Sequence, residues 1–127
     1  MNQLSPTDIA NCLVEARLKH VAWNPGKAQS LSLDEVYLIH NLVTKQLGFK
    51  IGAWKTSLPK DQTQPFLCPI YEKDIYASGT KLRASELFTI GIEGEIAFRV
   101  KQDFPINNKP YTRNDIILGI SEMLPLI

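Results

Sequence analysis

Glu93 and Glu95 are the two side chains in this sequence best spaced to act together. Two residues apart in an extended strand, they leave the same face with Cα atoms about 6.6 Å apart. Two carboxylates converging there suit Mg²⁺ or Mn²⁺, which take hard oxygen ligands in octahedral geometry. The same alternation is also the ordinary signature of a half-buried strand with its charged face in water. Lys50 is the second candidate, standing between Phe49 and Ile51 and directly before Gly52. A lysine among apolar neighbours can have its charge state tuned, or can present a fixed cation to an oxyanion; one snorkelling from a strand end has the same local sequence.

The other reactive types are less organised. His20 and His40 lack a second ligand at i+3 or i+4 and read as surface or structural histidines. Ser57 and Ser78 lack a nucleophile-elbow context. The basic stretch Lys55-Thr56-Ser57-Leu58-Pro59-Lys60 has no Gly-rich loop feeding a helix, as a phosphate site would. Cys12 and Cys68 have no metal-type spacing, so both read as reduced, mostly buried thiols in a cytoplasmic protein. Trp23 and Trp54 either line a pocket or pack.

The elements that must position these residues begin with two helices. Ser5 before Pro6 is a helix start, with Asp8 in the first turn and Ile9, Leu13 and Ala16 as the apolar stripe. The spacing ends this helix near Lys19 or His20, before a turn at Asn24-Pro25-Gly26. Ser32 and Glu35 form a capping box that opens a second helix, with Leu31 and Val36 as its staple. Val36, Ile39, Val43 and Leu47 line one face, and Gly48 is the stop. After Gly48 the period changes. A strand is expected over 49–54, a mobile loop over 55–66, and short extended pieces over 67–89 around a turn at Ala77-Ser78-Gly79. Residues 91–101 read as a strand with Ile92, Ile96, Phe98 and Val100 on one face and Glu93, Glu95, Ala97 and Arg99 on the other. Thr112 caps a helix expected to carry Ile116, Ile120, Met123 and Leu124, and Pro125 to Ile127 begins an extended segment.

Composition sets the class. A chain of 127 residues, 44% hydrophobic and 21% charged, suits one soluble globular domain. A net charge of +1 without basic clusters gives no electrostatic case for nucleic acid or an anionic membrane surface. Apolar runs fall short of the roughly 20 residues that cross a bilayer, and the N-terminus lacks a secretory pattern. The sequence stops inside an apolar run, Met123-Leu124-Pro125-Leu126-Ile127, which suggests an incomplete chain.

Taken in order, five strings resemble the 2-keto-4-pentenoate hydratase and 4-oxalocrotonate decarboxylase branch of the fumarylacetoacetate hydrolase superfamily. They are Leu33-Asp34-Glu35-Val36-Tyr37-Leu38-Ile39, Gly48-Phe49-Lys50-Ile51-Gly52, Ile92-Glu93-Gly94-Glu95-Ile96-Ala97-Phe98, Lys101-Gln102-Asp103-Phe104-Pro105, and Tyr111-Thr112-Arg113-Asn114-Asp115-Ile116. The resemblance implies an α+β fold, with a helical region over 1–48 and a partial β-rich catalytic core over 49–127. It implies that Glu93 and Glu95 are two of three carboxylate ligands of Mg²⁺ or Mn²⁺, and that Lys50 reaches a small 2-oxo acid. The implied reaction is hydration of a 2-hydroxy-2,4-dienoate to a 4-hydroxy-2-oxo acid. Decarboxylation of a 2-oxo acid and a truncated, non-catalytic interaction module are the alternatives. Hydrolysis of a C–C bond in a 1,3-diketone acid ranks below these, because it needs a water-activating His or Glu for which the helical region has no distinctive motif.

Two departures stand out. Where the family continues Leu-Thr-Ser, this chain reads Ala53-Trp54-Lys55-Thr56-Ser57, a change that bears on the pocket entrance and substrate choice. By the family pattern the third metal-binding Glu is the residue after Ile127, with most of the core beyond it. A core deprived of those strands leaves Ile92, Ile96 and Phe98 under-covered, and such a patch favours homo-oligomers or instability.

Overall fold

The computed structural model of this chain describes residues 3–26, 30–57, 65–87 and 89–127, as three helices and two antiparallel two-stranded sheets. The α+β class expected from the sequence is the class observed. The chain divides into two compact units, residues 1–88 and 89–127, so the first hairpin belongs with the helices.

In the first unit, α1 (Pro6–Leu18) and α2 (Leu33–Leu47) both start from reciprocal capping boxes. The Ser5 hydroxyl accepts from the Asp8 amide at 3.2 Å, and the Ser32 hydroxyl from the Glu35 amide at 3.3 Å. Each N3 carboxylate accepts the amide of its cap residue in return. α2 ends where Gly48 takes φ 64°, a left-handed conformation that costs glycine little. The apolar stripe of α1 lies one step round from the expected one. Ile9, Ala10 and Val14 are buried while Leu13 is exposed, because Ile9 and Ala10 meet Ile39 of α2, with Trp23, Leu31, Leu42 and Val43 packed around them.

The first hairpin joins β1 (Ile51–Ser57) to β2 (Phe66–Tyr71). β1 runs later than expected, taking in Lys55, Thr56 and Ser57; most of the anticipated loop, residues 58–64, lies outside the described residues. Tyr71 anchors β2. It is buried, its hydroxyl lies 3.2 Å from that of Thr44, and the Arg17 guanidinium covers its ring at 5.0 Å. Arg17 also pairs with Asp74 in the 3₁₀ turn Glu72–Asp74 that follows β2. The expected turn at Ala77-Ser78-Gly79 is present, closed by Thr80 N–H donating to the Ala77 carbonyl at 3.2 Å, with Gly79 at φ 84°.

The second unit pairs β3 (Glu95–Val100) with β4 (Ile120–Leu126) through α3 (Arg113–Leu118). Thr112 caps α3 as expected, but the helix stops at Gly119, and Ile120, Met123 and Leu124 are strand residues. The helical spacing of these residues loses to tertiary pairing. At Gly119 a Cβ would run into the Phe104 ring, and six of the next seven residues pair with β3, the register shifting at Ser121. Residues 91–94, expected to belong to the strand, precede it. Directly opposed residues share a face in an antiparallel pair. One face of this hairpin therefore carries Glu95, Ala97 and Arg99 with Leu126, Leu124 and Glu122, and the other carries Ile96 and Phe98 with Pro125 and Met123. This second face is uncovered: Ile96 is 65% exposed, Phe98 56% and Met123 67%.

Candidate functional site

Glu95 opens β3, and Glu93 lies two residues before it in irregular backbone. Both are exposed. The carboxylate face of the hairpin is polar at its far end, where Arg99 Nε meets Glu122 Oε2 at 3.0 Å across the ladder. Among the described residues no three His, Cys, Asp or Glu side chains gather as a metal-binding group. Glu93 and Glu95 offer hard oxygen donors of the type Mg²⁺ or Mn²⁺ takes, but by themselves supply only part of an octahedral shell. An open cavity of about 670 Å³ in the same unit is lined by Asp103, Phe104, Lys109, Tyr111 and Asp115, and by neither of the two glutamates. Its Asp115 carboxylate is taken up by the Thr112 cap, whose hydroxyl and amide hold that carboxyl below its usual range.

Lys50 belongs to the first unit, and of the two settings its sequence allows it has that of a lysine reaching out from a strand end. It precedes β1, its side chain is 76% exposed, and its Nζ lies 3.1 Å from Glu72 Oε1. Apolar neighbours in sequence do not enclose it, because the side chain of a residue at a strand end can reach past them into water. The backbone around it is tightly held. The Glu72 amide donates to the Lys50 carbonyl at 2.9 Å, the Phe49 ring meets Tyr71 edge-to-face at 5.4 Å, and Lys73 Nζ sits 4.8 Å from the Phe49 ring centre. A Cβ at Gly52 would come within 2.8 Å of Glu72 Cα and Ile75 Cδ1. The string Gly48-Phe49-Lys50-Ile51-Gly52 thus has a physical reason at each end: Gly48 for its left-handed turn, Gly52 for close approach of the 3₁₀ turn.

No family model, curated protein or solved structure matches this chain. The functional reading therefore rests on the residues themselves. No helix among the described residues is long and apolar enough to cross a membrane.

One cluster escaped the sequence reading. Cys68 Sγ lies 4.0 Å from His40 Nε2, joining β2 to α2. The His40 ring packs edge-on against Phe66 at 5.9 Å and Tyr37 at 6.2 Å, and its Nδ1 is buried without a hydrogen-bond partner. Lys55 stands directly opposite Cys68 in the ladder, and so on the same face of the sheet. Burial holds the His40 imidazole below its usual pKa and raises that of the Cys68 thiol, against a smaller lowering by the Lys55 charge. Both groups are therefore neutral near pH 7. The three residues come from separate stretches of sequence, and no local spacing signals them.

Proposed function

We propose that this chain is the N-terminal part of a cytoplasmic, divalent-metal-dependent hydratase that adds water to a 2-hydroxy-2,4-dienoate, giving a 4-hydroxy-2-oxo acid. What carries the reading is the order of the five strings, from the Ser32-capped helix through Gly48–Gly52 and Ile92–Phe98 to the Thr112 cap. Two structural features support it. The Gly48–Gly52 string is a tightly packed unit that presents Lys50 outward. The ladder pairs Glu95 with Leu126 and Ile96 with Pro125; were that register to continue past the end of β3, the position after Ile127 would stand opposite Glu93. That is the position at which the resemblance expects the third ligand.

In this reading Glu93 and Glu95 hold Mg²⁺ or Mn²⁺, which supplies Lewis acidity toward the 2-oxo acid when bound. Lys50 offers its ammonium to the 2-oxo or carboxylate oxygen, fixing the orientation of the substrate. Decarboxylation of a 2-oxo acid uses the same residues and remains the alternative within this chemistry. The bare apolar face of β3 and β4 supports assembly into a homo-oligomer, and it is equally the observation that favours the second reading, a non-catalytic interaction module.

Intact mass of the protein from its source, with C-terminal peptide sequencing, is the first test. A longer chain with Glu after Ile127 is expected, and this form should show Mn²⁺- or Mg²⁺-dependent loss of dienoate absorbance that E93Q and E95Q abolish. The 127-residue chain alone should bind metal weakly and turn over nothing. A native protein that ends at Ile127, or strong metal-dependent turnover by the 127-residue chain, would refute the reading.

A further inference from the structure

The cluster of Cys68, His40 and Lys55 lies in the first unit and plays no part in the proposed hydratase chemistry. We propose that Cys68 is a modification site, a thiol that takes small anionic carbon electrophiles with His40 as its base and Lys55 as the recognition element for the negative charge. Three observations carry this. Nε2 of His40 is the ring nitrogen that faces Sγ at 4.0 Å. Its ring orientation is set by edge contacts with Tyr37 and Phe66 rather than by a competing hydrogen bond at Nδ1. Lys55, exposed on the neighbouring strand, is the cation directly across the ladder from the thiol.

The chemistry balances without a further reactant. A sulfur lone pair forms the S–C bond while the S–H proton passes to Nε2. With an alkyl halide the C–X bond breaks and the halide leaves with its electron pair, the proton then going to solvent. With a conjugate acceptor the C=C π pair moves to the α-carbon, which takes the proton from the imidazolium. Because thiol and imidazole are both neutral, the pair works by proton transfer during attack rather than as a standing thiolate. Electrophiles bearing a carboxylate are favoured by the charge of Lys55, which shares a face of the sheet with the thiol.

Cys12 is the internal control, since it too is a free, half-buried cysteine. The 127-residue chain is treated with iodoacetate or iodoacetamide at pH 7, and the alkylation of each cysteine is followed by peptide mass mapping. Cys68 is expected to react several-fold faster than Cys12 with iodoacetate. H40Q should slow Cys68 by about tenfold, less than a closely placed general base contributes because Nε2 stands 4.0 Å from Sγ, and leave Cys12 unchanged. K55Q, at an exposed strand position, should lower the iodoacetate-to-iodoacetamide rate ratio at Cys68 by about threefold, the scale of a screened surface charge. The comparison within the unaltered chain and the K55Q ratio need no change at the packed His40, so they stand even if H40Q misfolds. Equal or slower reaction at Cys68 than at Cys12, or a K55Q ratio unchanged from the parent, would overturn the assignment.

Discussion

Replacing Gly52 with alanine tests the packing that holds the Lys50 string in place. A Cβ there would lie 2.8 Å from both Glu72 Cα and Ile75 Cδ1, and 3.1 Å from Glu72 Cβ. Ile75 Cδ1 is the end of a flexible side chain and can rotate away. Glu72 Cα is backbone, tied back to Lys50 by the 2.9 Å hydrogen bond and forward to Ile75 through the 3₁₀ turn. Relief therefore requires the hairpin and the turn to separate by several tenths of an ångström, and overpacking of this kind costs about 1–3 kcal/mol. Both tryptophans, Trp23 and Trp54, belong to the first unit, so fluorescence-monitored urea unfolding reads the unit that is perturbed. With a slope of about 2 kcal/mol per M urea, a cost of about 2 kcal/mol lowers the midpoint by about 1 M. Gly91 and Gly94 have open space where a Cβ would go and no positive φ, so G91A and G94A should leave the same midpoint unmoved. A G52A midpoint within about 0.2 M of the parent, on that slope, would refute the claim that close approach demands glycine at this position.

Three further outcomes follow from the caps and the Arg17 contact. S32A removes the hydroxyl that accepts from the Glu35 amide and should destabilise the first unit by about 1 kcal/mol, read as a lower urea midpoint with no loss of folded helical circular dichroism. R17A removes the pairing with Asp74 and the cover over Tyr71; a loss of about 1 kcal/mol is expected, and an unchanged midpoint would show that the contact contributes nothing. The carboxyls of Asp8, Glu35 and Asp115 are held below their usual pKa by the cap hydroxyls and amides of Ser5, Ser32 and Thr112. Carboxylates lowered in the folded state stabilise it above their unfolded pKa, and that stabilisation is lost as pH falls through the lowered folded values. Helical signal should therefore hold at neutral pH and decline on acidification below pH 4, with S32A showing a weaker acid dependence than the parent.

How much of this protein can be read along the chain differs from element to element, and the reason is range. α1, α2 and the start of α3 were legible because their caps are local: Ser5 with Asp8, Ser32 with Glu35 and Thr112 with Asp115 each close within three residues. The stop at Gly48 is local too, a backbone conformation that glycine adopts at low cost. The buried stripe of α1 lies one step round from the one its period suggests, because Ile9, Ala10 and Val14 are selected by where α2 and the rest of the unit lie. Residues 120–124 have helical spacing and are strand, since the backbone groups of β3 offer a partner. The neighbours of Lys50 in sequence allow either an enclosed or an outward-reaching lysine, and only the structure decides for the latter, exposed beside Glu72, because a strand end lets a long side chain leave its apolar surroundings. Glu93 and Glu95 were visible as a pair from their spacing. The meeting of Cys68, His40 and Lys55 was invisible, because it depends on hairpin register and on the face of α2 turned toward β2. Local hydrogen bonding is written in neighbouring residues; which distant side chains share a face is decided only when the elements pack.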